Sequence, residues 1–146
     1  MNSRSNKPSR FIVLYVENDD ADVLMCERAF KPHEELELRS VSDGASVIDW
    51  LEGQGSYANR AFFPMPALLV LDSRLDDMTA LEILRWLRAQ RRFRDLPVIL
   101  HVGSTPTHER NAYHDLHVAA VVEKDSTCRA LVERVRDVLH GEFAGR

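Results

Sequence analysis

Four short runs of consecutive apolar residues constrain the fold of this chain more than any other feature. They cover residues 11–16 (FIVLYV), 67–71 (ALLVL), 98–102 (VILHV) and 119–122 (AAVV). Each run is as long as a strand and continuous rather than alternating, which is typical of strands buried on both faces. A weaker candidate at 36–41 (LELRSV) alternates apolar and polar residues, as an edge strand does. The runs predict a sheet of five strands.

Amphipathic stretches separate these runs and predict helices. They cover residues 21–30, 45–52, 80–89, 107–116 and 126–139, with Ser126 or Thr127 as the cap of the last. Strand then helix, repeated five times, predicts an α/β fold: a doubly wound five-stranded parallel sheet with helices on both faces. The length of 146 residues suits one domain. We expect tails at 1–10 and 141–146 around a domain at 11–140, with its crevice at the carboxyl ends of the strands.

Composition excludes several classes of function. A formal net charge of -4 gives no basic field for a nucleic-acid backbone, although residues 4–10 are locally basic. The apolar run at 11–16 is too short for a signal peptide or a membrane span. Cys26 and Cys128 have no paired spacing but fall on the first and last predicted helices, which share a face of the predicted sheet. Two unrelated half-buried thiols are favoured over a redox-sensitive pair. The sequence thus predicts a cytoplasmic protein without direct nucleic-acid contact or membrane insertion.

Polar residues follow the predicted strands where each strand ends. Glu17 and Asn18 follow the first strand, Asp72 the third, and Lys124 the fifth. Since the carboxyl ends of parallel strands meet at one edge of the sheet, acidic groups and a lysine should converge there.

Four motifs carry these residues: YVEND at 15–19, LLVLDSRLDDM at 68–78, LPVIL at 96–100 and VVEKD at 121–125. With these motifs, residues 11–140 resemble the receiver domains of response regulators in two-component signalling. The resemblance implies a flavodoxin-like (βα)5 fold and a stand-alone domain similar to the chemotaxis regulators. The resemblance implies that Asp72 is the phosphoacceptor and that Lys124 pairs with the phosphoryl oxygens. It also implies Mg²⁺ held by Glu17, Asn18, Asp72 and the backbone carbonyl of Arg74. This chemistry needs a cation and a lysine, because two negative groups must approach each other.

Several positions depart from the family pattern. Asn18 replaces the second acidic residue, so we expect a weakened, partly degenerate metal site. Asp19 or Asp20 could supply the missing charge, although solvated residues at a helix start are the favoured interpretation. Val102 replaces the Thr or Ser that senses phosphorylation and donates no hydrogen bond. Val121 stands where the family has the partner aromatic residue, so both halves of that switch are missing.

Three further positions near the strand ends bear on the mechanism. Asp125 and Asp76 replace prolines of the family, and the first change implies that Lys124 is placed less rigidly. The guanidinium of Arg74 could bind a phosphoryl group with two parallel hydrogen bonds. Pairing of that arginine with Asp76 or Asp77 is an equally favoured alternative.

The resemblance implies a single-domain response regulator, not an enzyme. Its partners would be a sensor histidine kinase or phosphotransfer protein, a downstream protein target and, optionally, a second copy of the chain. The alternative is a pseudo-receiver module that signals without phosphorylation. A hydrolase built on Ser73 or Ser104 is disfavoured, because no Gly-x-Ser-x-Gly elbow surrounds either serine. His101, inside an apolar run, is interpreted as a hydrogen-bonded core histidine rather than a catalytic base.

Overall fold

The computed structural model describes residues 10–103 and 107–144, so Ser104 and almost all of the predicted N-terminal tail lie outside the described residues. Five strands alternate with five α-helices in the described part of the chain. In chain order these are β1 Phe11–Val16, α1 Asp20–Phe30, β2 Leu36–Val41, α2 Gly44–Glu52, β3 Leu68–Asp72, α3 Ala80–Ala89, β4 Val98–Val102, α4 Thr107–Asp115, β5 Ala120–Glu123 and α5 Arg129–Ala144. A 3-10 turn at Gly55–Tyr57 interrupts the predicted loop before β3.

All strand pairs are parallel, in the order β2-β1-β3-β4-β5, which confirms the predicted doubly wound sheet. β2 lies at an edge, as its alternating pattern predicts. The register sets Asp72 of β3 beside His101 of β4, and Val102 beside Glu123 of β5. The carboxyl ends of neighbouring strands are therefore level with one another.

Successive strand residues point into two separate cores, one on each face of the sheet. Leu14 and Val16 join the core that contains residues of α2, α3 and α4, whereas Val13 and Tyr15 join the core that contains residues of α1 and α5. All four side chains are fully buried. Burial on both faces explains why the strand runs are continuous in the sequence rather than alternating.

The two cysteines correct the prediction of unrelated thiols. Cys26 of α1 and Cys128, which directly precedes α5, form a disulfide with their Cα atoms 5.5 Å apart, a separation at which disulfides form. Both residues belong to the core beneath α1 and α5. Packing of these two helices on one face brings together positions 102 residues apart, a juxtaposition that spacing along the chain does not reveal.

The last helix also differs from its predicted bounds. It begins at Arg129 because the preceding Cys128 has a left-handed backbone with φ of 57°. The Thr127 hydroxyl oxygen accepts a hydrogen bond from the Arg129 N–H at 3.2 Å. The helix then runs through Gly141 to Ala144, so residues 141–144, predicted as tail, are helical. No helix in the described part of the chain is both long enough and apolar enough to cross a membrane.

Candidate functional site

Three of the predicted site residues meet at the carboxyl edge of the sheet. Lys124 Nζ lies 2.8 Å from Glu17 Oε1 and 3.5 Å from Asp72 Oδ1. The exposed fractions of the side chains are 1% for Glu17, 9% for Asp72 and 23% for Lys124. The three groups come from the ends of β1, β3 and β5 and form a nearly enclosed cluster of charges. Sequence reasoning located all three.

Asp22 is a fourth member of this cluster, and sequence reasoning missed it. Its Oδ2 atom lies 2.8 Å from Lys124 Nζ. Asp22 stands in the first turn of α1, four and eight residues before Cys26 and Phe30, which are buried. That spacing places Asp22 on the face of α1 that packs on the sheet, and this periodicity was the available signal. Lys124 therefore faces three carboxylates.

Neither Asp19 nor Asp20 takes the place of the missing acidic residue. Asp19 is the N-cap of α1, and its Oδ1 accepts hydrogen bonds from the N–H groups of Ala21 and Asp22 at 2.8 and 3.1 Å. Asp20 is exposed, as is Asn18. The helix-start interpretation of Asp19 is confirmed, because its carboxylate is committed to the backbone.

The surroundings of the cluster raise the pKa of both Asp72 and Lys124. Burial and the charge of Glu17 raise the pKa of Asp72 to about 6, although Lys124 opposes the shift. Burial by itself would lower the pKa of Lys124, but hydrogen bonds to Asp22 and Glu17 and the charge of Asp72 raise it above its ordinary value. At neutral pH Lys124 is thus protonated, and Asp72 is an ionised carboxylate of raised basicity.

The hydroxyl and aromatic positions of the family switch are apolar in the structure. Val102 is fully buried at the end of β4, and its carbonyl accepts a hydrogen bond from the Lys124 N–H at 2.6 Å. Val121 packs against the same core. Neither side chain can bond to a phosphoryl oxygen.

Arg74 and Asp77 serve different regions. Arg74 is exposed, and its backbone pairs with that of Thr79. Among the salt bridges between described residues, none joins Arg74 to Asp76 or Asp77. Asp77 instead accepts hydrogen bonds from the N–H groups of Gly44 and Ala45, each at 2.9 Å. These bonds tie the β3–α3 loop to the start of α2 and lower the pKa of Asp77.

Replacing Asp77 with alanine is expected to lower the free energy of unfolding by about 1 kcal/mol, because two N–H groups at the start of α2 lose their acceptor. The loss should shrink as the pH falls, since a carboxylate of lowered pKa stabilises the fold only while it is ionised. Urea unfolding at pH 7 and at about pH 2.5, below the ordinary pKa of an aspartate, measures both effects. Equal stability of Asp77→Ala and wild type at pH 7 would contradict this assignment.

His101 is the hydrogen-bonded core histidine that the sequence predicts. It is 2% exposed, and its Nδ1 atom lies 2.7 Å from the hydroxyl oxygen of Tyr15. That hydroxyl donates to Glu17 Oε1 at 3.1 Å. His101 therefore touches the charged cluster through Tyr15.

The oxygen donors at this edge of the sheet match the divalent cation that the resemblance implies. Glu17, Asp72, the Asn18 amide and the Arg74 carbonyl offer only oxygen ligands, which suit a hard divalent cation. Within the described residues, no group of three or more His, Cys, Asp or Glu side chains is arranged to hold a metal. The site therefore offers two carboxylates to such a cation. One of their oxygens, Glu17 Oε1, also accepts hydrogen bonds from Tyr15 and Lys124.

Comparison with known proteins agrees with this geometry. The chain is 28% identical over 142 residues to response regulator Rcp1 of Synechocystis sp., covering 94% of this chain and 91% of that protein. The Mn²⁺-bound structure of Rcp1 superposes with a TM-score of 0.75 at 26% identity, over 88% of this chain and 91% of that one. The structure of the bacteriophytochrome response regulator RtBRR superposes with a TM-score of 0.76 at 27% identity, over 88% of this chain and 77% of that one.

No family model matches the chain. The similarity extends over nearly the whole chain and includes the order of strands and helices. In sequence and in fold, the chain is therefore similar to response-regulator receiver domains of two-component signalling.

Proposed function

We propose that Asp72 accepts a phosphoryl group from a sensor histidine kinase or a phosphotransfer protein, and that the modified domain signals through protein contacts in the cytoplasm. The observation that carries the proposal is the placement of a carboxylate of raised basicity 3.5 Å from a protonated lysine. The two side chains come from β3 and β5 and are brought together by the fold alone. The positions match those of the phosphoacceptor and lysine in the family.

The chain's own residues supply most of the reaction. A carboxylate oxygen of Asp72 attacks phosphorus, the bond from phosphorus to the donor's imidazole nitrogen breaks, and the electron pair leaves with the imidazole. Lys124 lies where it can neutralise charge on the phosphoryl oxygens. Glu17 and Asp22 hold the lysine on the Asp72 side of the cluster by hydrogen bonds of 2.8 Å.

A divalent cation, for which we propose Mg²⁺, would be held by Glu17, Asp72, the Asn18 amide and the Arg74 carbonyl. When bound, it would offset the charge of the carboxylates and of the incoming phosphoryl group. The amide of Asn18 carries no charge, so we expect weaker binding than in relatives with a second carboxylate. The Mn²⁺-bound form of Rcp1 supports a divalent cation in this family. We assign the exposed guanidinium of Arg74 to the phosphoryl group.

The output surface is assigned to α4, β5 and α5, as in the family, with a downstream protein or a second copy of the chain as partner. Val102 and Val121 cannot transmit the modification by the usual pair of hydroxyl and aromatic groups. The signal must then pass by another route. No enzymatic turnover is part of the proposal.

Intact-mass spectrometry after incubation with acetyl phosphate tests the proposal. Wild type should gain one phosphoryl group in the presence of Mg²⁺ and none when the metal is chelated before the donor is added. Asp72→Asn should gain none, because an amide oxygen is a poor nucleophile. Asp76→Asn is the matched control, since Asp76 is exposed four residues further along the same segment, and it should behave as wild type.

A phosphorylation-independent module is the second candidate, favoured by the pairing of Lys124 with Glu17 and Asp22. These bonds satisfy the lysine without any phosphoryl group. Folded wild type that gains no adduct at saturating donor and metal, nor from a panel of phosphorylated sensor kinases, would favour this candidate. The mass-spectrometric experiment therefore separates the two functions.

A further inference from the structure

A buried polar pair lies beneath the charged cluster, on the sheet face that α1 and α5 cover. Tyr15 of β1 is fully buried and His101 of β4 is 2% exposed. β3 separates their strands, yet the tyrosine hydroxyl oxygen lies 2.7 Å from His101 Nδ1. The surrounding residues of this core are apolar. Two polar side chains in such a place must satisfy each other or a third group.

Burial favours the neutral form of both members of the pair. Burial and the nearby charge of Lys124 lower the pKa of His101 to about 4. Burial and the charge of Glu17 raise the pKa of Tyr15 above its ordinary value. A neutral imidazole has one donor and one acceptor nitrogen, and the tyrosine hydroxyl has a single proton. The direction of each hydrogen bond is therefore linked to the tautomer of His101.

The two possible tautomers act differently on Glu17. With the proton on His101 Nδ1, the imidazole donates to Tyr15, and the tyrosine proton is free to bond Glu17 Oε1, which is 3.1 Å away. With the proton on Nε2, the Tyr15 proton is drawn to Nδ1 and Glu17 loses that donor. The ionised carboxylate favours the first arrangement, because hydrogen bonds to charged acceptors are the stronger ones.

Glu17 in turn sets the position of Lys124. Its Oε1 accepts from Tyr15 and from Lys124, and its Oε2 accepts from the Asp19 N–H at 3.2 Å. Removal of the Tyr15 donor would free the carboxylate, which is 1% exposed, to rotate. The lysine and any cation held by Glu17 would shift with it.

We propose that Tyr15 and His101 are positioning residues of the phosphoacceptor site: His101 directs the Tyr15 proton to Glu17 and so fixes Glu17 for Lys124 and the cation. Neither side chain contacts the phosphoryl group in this assignment. The site itself depends on the function proposed above. The orientation of the Tyr15–His101 pair does not, and it can be measured in metal-free protein.

The first experiment is nitrogen NMR of ¹⁵N-histidine-labelled, metal-free wild type. We expect His101 to carry its proton on Nδ1, and we expect that preference to vanish in Tyr15→Phe. A proton on Nε2 in wild type would overturn the inference, since the tyrosine proton would then point away from Glu17. This readout does not require phosphorylation, so it decides the inference even if the proposed function fails.

The second experiment is a Mg²⁺ titration followed by NMR shifts, with the acetyl phosphate reaction run in parallel. Tyr15→Phe and His101→Leu should raise the half-saturating Mg²⁺ concentration about 10-fold, as loss of a group that orients a metal ligand does. The maximal rate of phosphorylation should change less than the half-saturating concentration. His101→Asn keeps a donor near the position of Nδ1 and should recover most of the affinity.

Tyr57→Phe is the matched control, because it removes a hydroxyl from a half-buried tyrosine in the loop before β3, and it should leave the titration unchanged. Unaltered Mg²⁺ affinity in both folded Tyr15→Phe and folded His101→Leu would overturn the inference while leaving Asp72 as phosphoacceptor. Lack of an adduct in wild type that binds Mg²⁺ normally would instead count against the proposed function alone.

Discussion

Asp72→Asn is expected to stabilise the metal-free protein at pH 7.5 by about 1–2 kcal/mol in the free energy of unfolding. The reason is the raised pKa of Asp72, about 6 in the folded protein. A shift of about 2 units corresponds to about 3 kcal/mol, and screening by solvent at the mouth of the site reduces this value. The substitution removes a negative charge that destabilises the folded state.

The pH dependence of this effect has a definite sign. Between pH 4 and 6 the folded state binds more protons at Asp72 than the unfolded state does, so stability from this group is lost as the pH rises. The advantage of Asp72→Asn should thus be small at pH 4.5 and largest above pH 6.5. His101, with a pKa lowered to about 4, acts in the opposite direction. Its contribution is shared by both proteins and cancels in the difference.

Urea unfolding of wild type and Asp72→Asn at pH 4.5 and 7.5, with a chelator present, measures this prediction. Asp76→Asn should differ from wild type by less than about 0.5 kcal/mol. Added Mg²⁺ should reduce the difference in stability between Asp72→Asn and wild type, because a cation that binds the folded wild type stabilises it. Lower stability of Asp72→Asn at pH 7.5 would show that the carboxylate is held favourably and would contradict the electrostatic account.

Lys124→Met is expected to lower the free energy of unfolding by about 2–3 kcal/mol, the largest loss among the site variants. The substitution removes the cation from Glu17, Asp22 and Asp72 together. Glu17 is the decisive partner, because its side chain is 1% exposed and its charge cannot be solvated. Its remaining donors are the Tyr15 hydroxyl and the Asp19 N–H.

A double-mutant cycle separates this charge effect from lost packing. Glu17→Gln combined with Lys124→Met should recover most of the loss, since the amide removes the most deeply buried of the charges that Lys124 compensates. Arg136→Met is the comparison for an open ion pair, because Arg136 and Glu35 are 42% and 36% exposed, and it should cost less than about 1 kcal/mol. Equal losses for Lys124→Met and the double variant would contradict the buried-charge explanation.

The sheet could be predicted because its strands are buried on both faces and therefore appear as uninterrupted apolar runs. The edge position of β2 followed from its alternation in the same way. Asp72, Glu17 and Lys124 were predictable from their place immediately at strand ends, where parallel strands deliver side chains to one edge. The sequence therefore predicted the order of strands and helices, and the site residues that directly follow the strands.

The remaining features depend on contacts between elements distant in sequence. Asp22 lies a helical turn beyond the strand end, and only the packing of α1 brings it to Lys124. The disulfide of Cys26 and Cys128 needs α1 and α5 on one face. The contact between Tyr15 and His101 passes across β3 from residues 86 positions apart. Of these contacts, only that of Asp22 has a local signal, which is its helical spacing from Cys26 and Phe30.

The central claim is that Asp72 forms an acyl phosphate, and the most direct test is to locate the modified residue. Borohydride converts an aspartyl phosphate to homoserine, which peptide mass spectrometry then identifies at a single position. After treatment with acetyl phosphate and Mg²⁺, we predict homoserine at position 72 in wild type and in Asp76→Asn, and none in Asp72→Asn. Homoserine at another aspartate, or an adduct that persists in Asp72→Asn, would contradict the account.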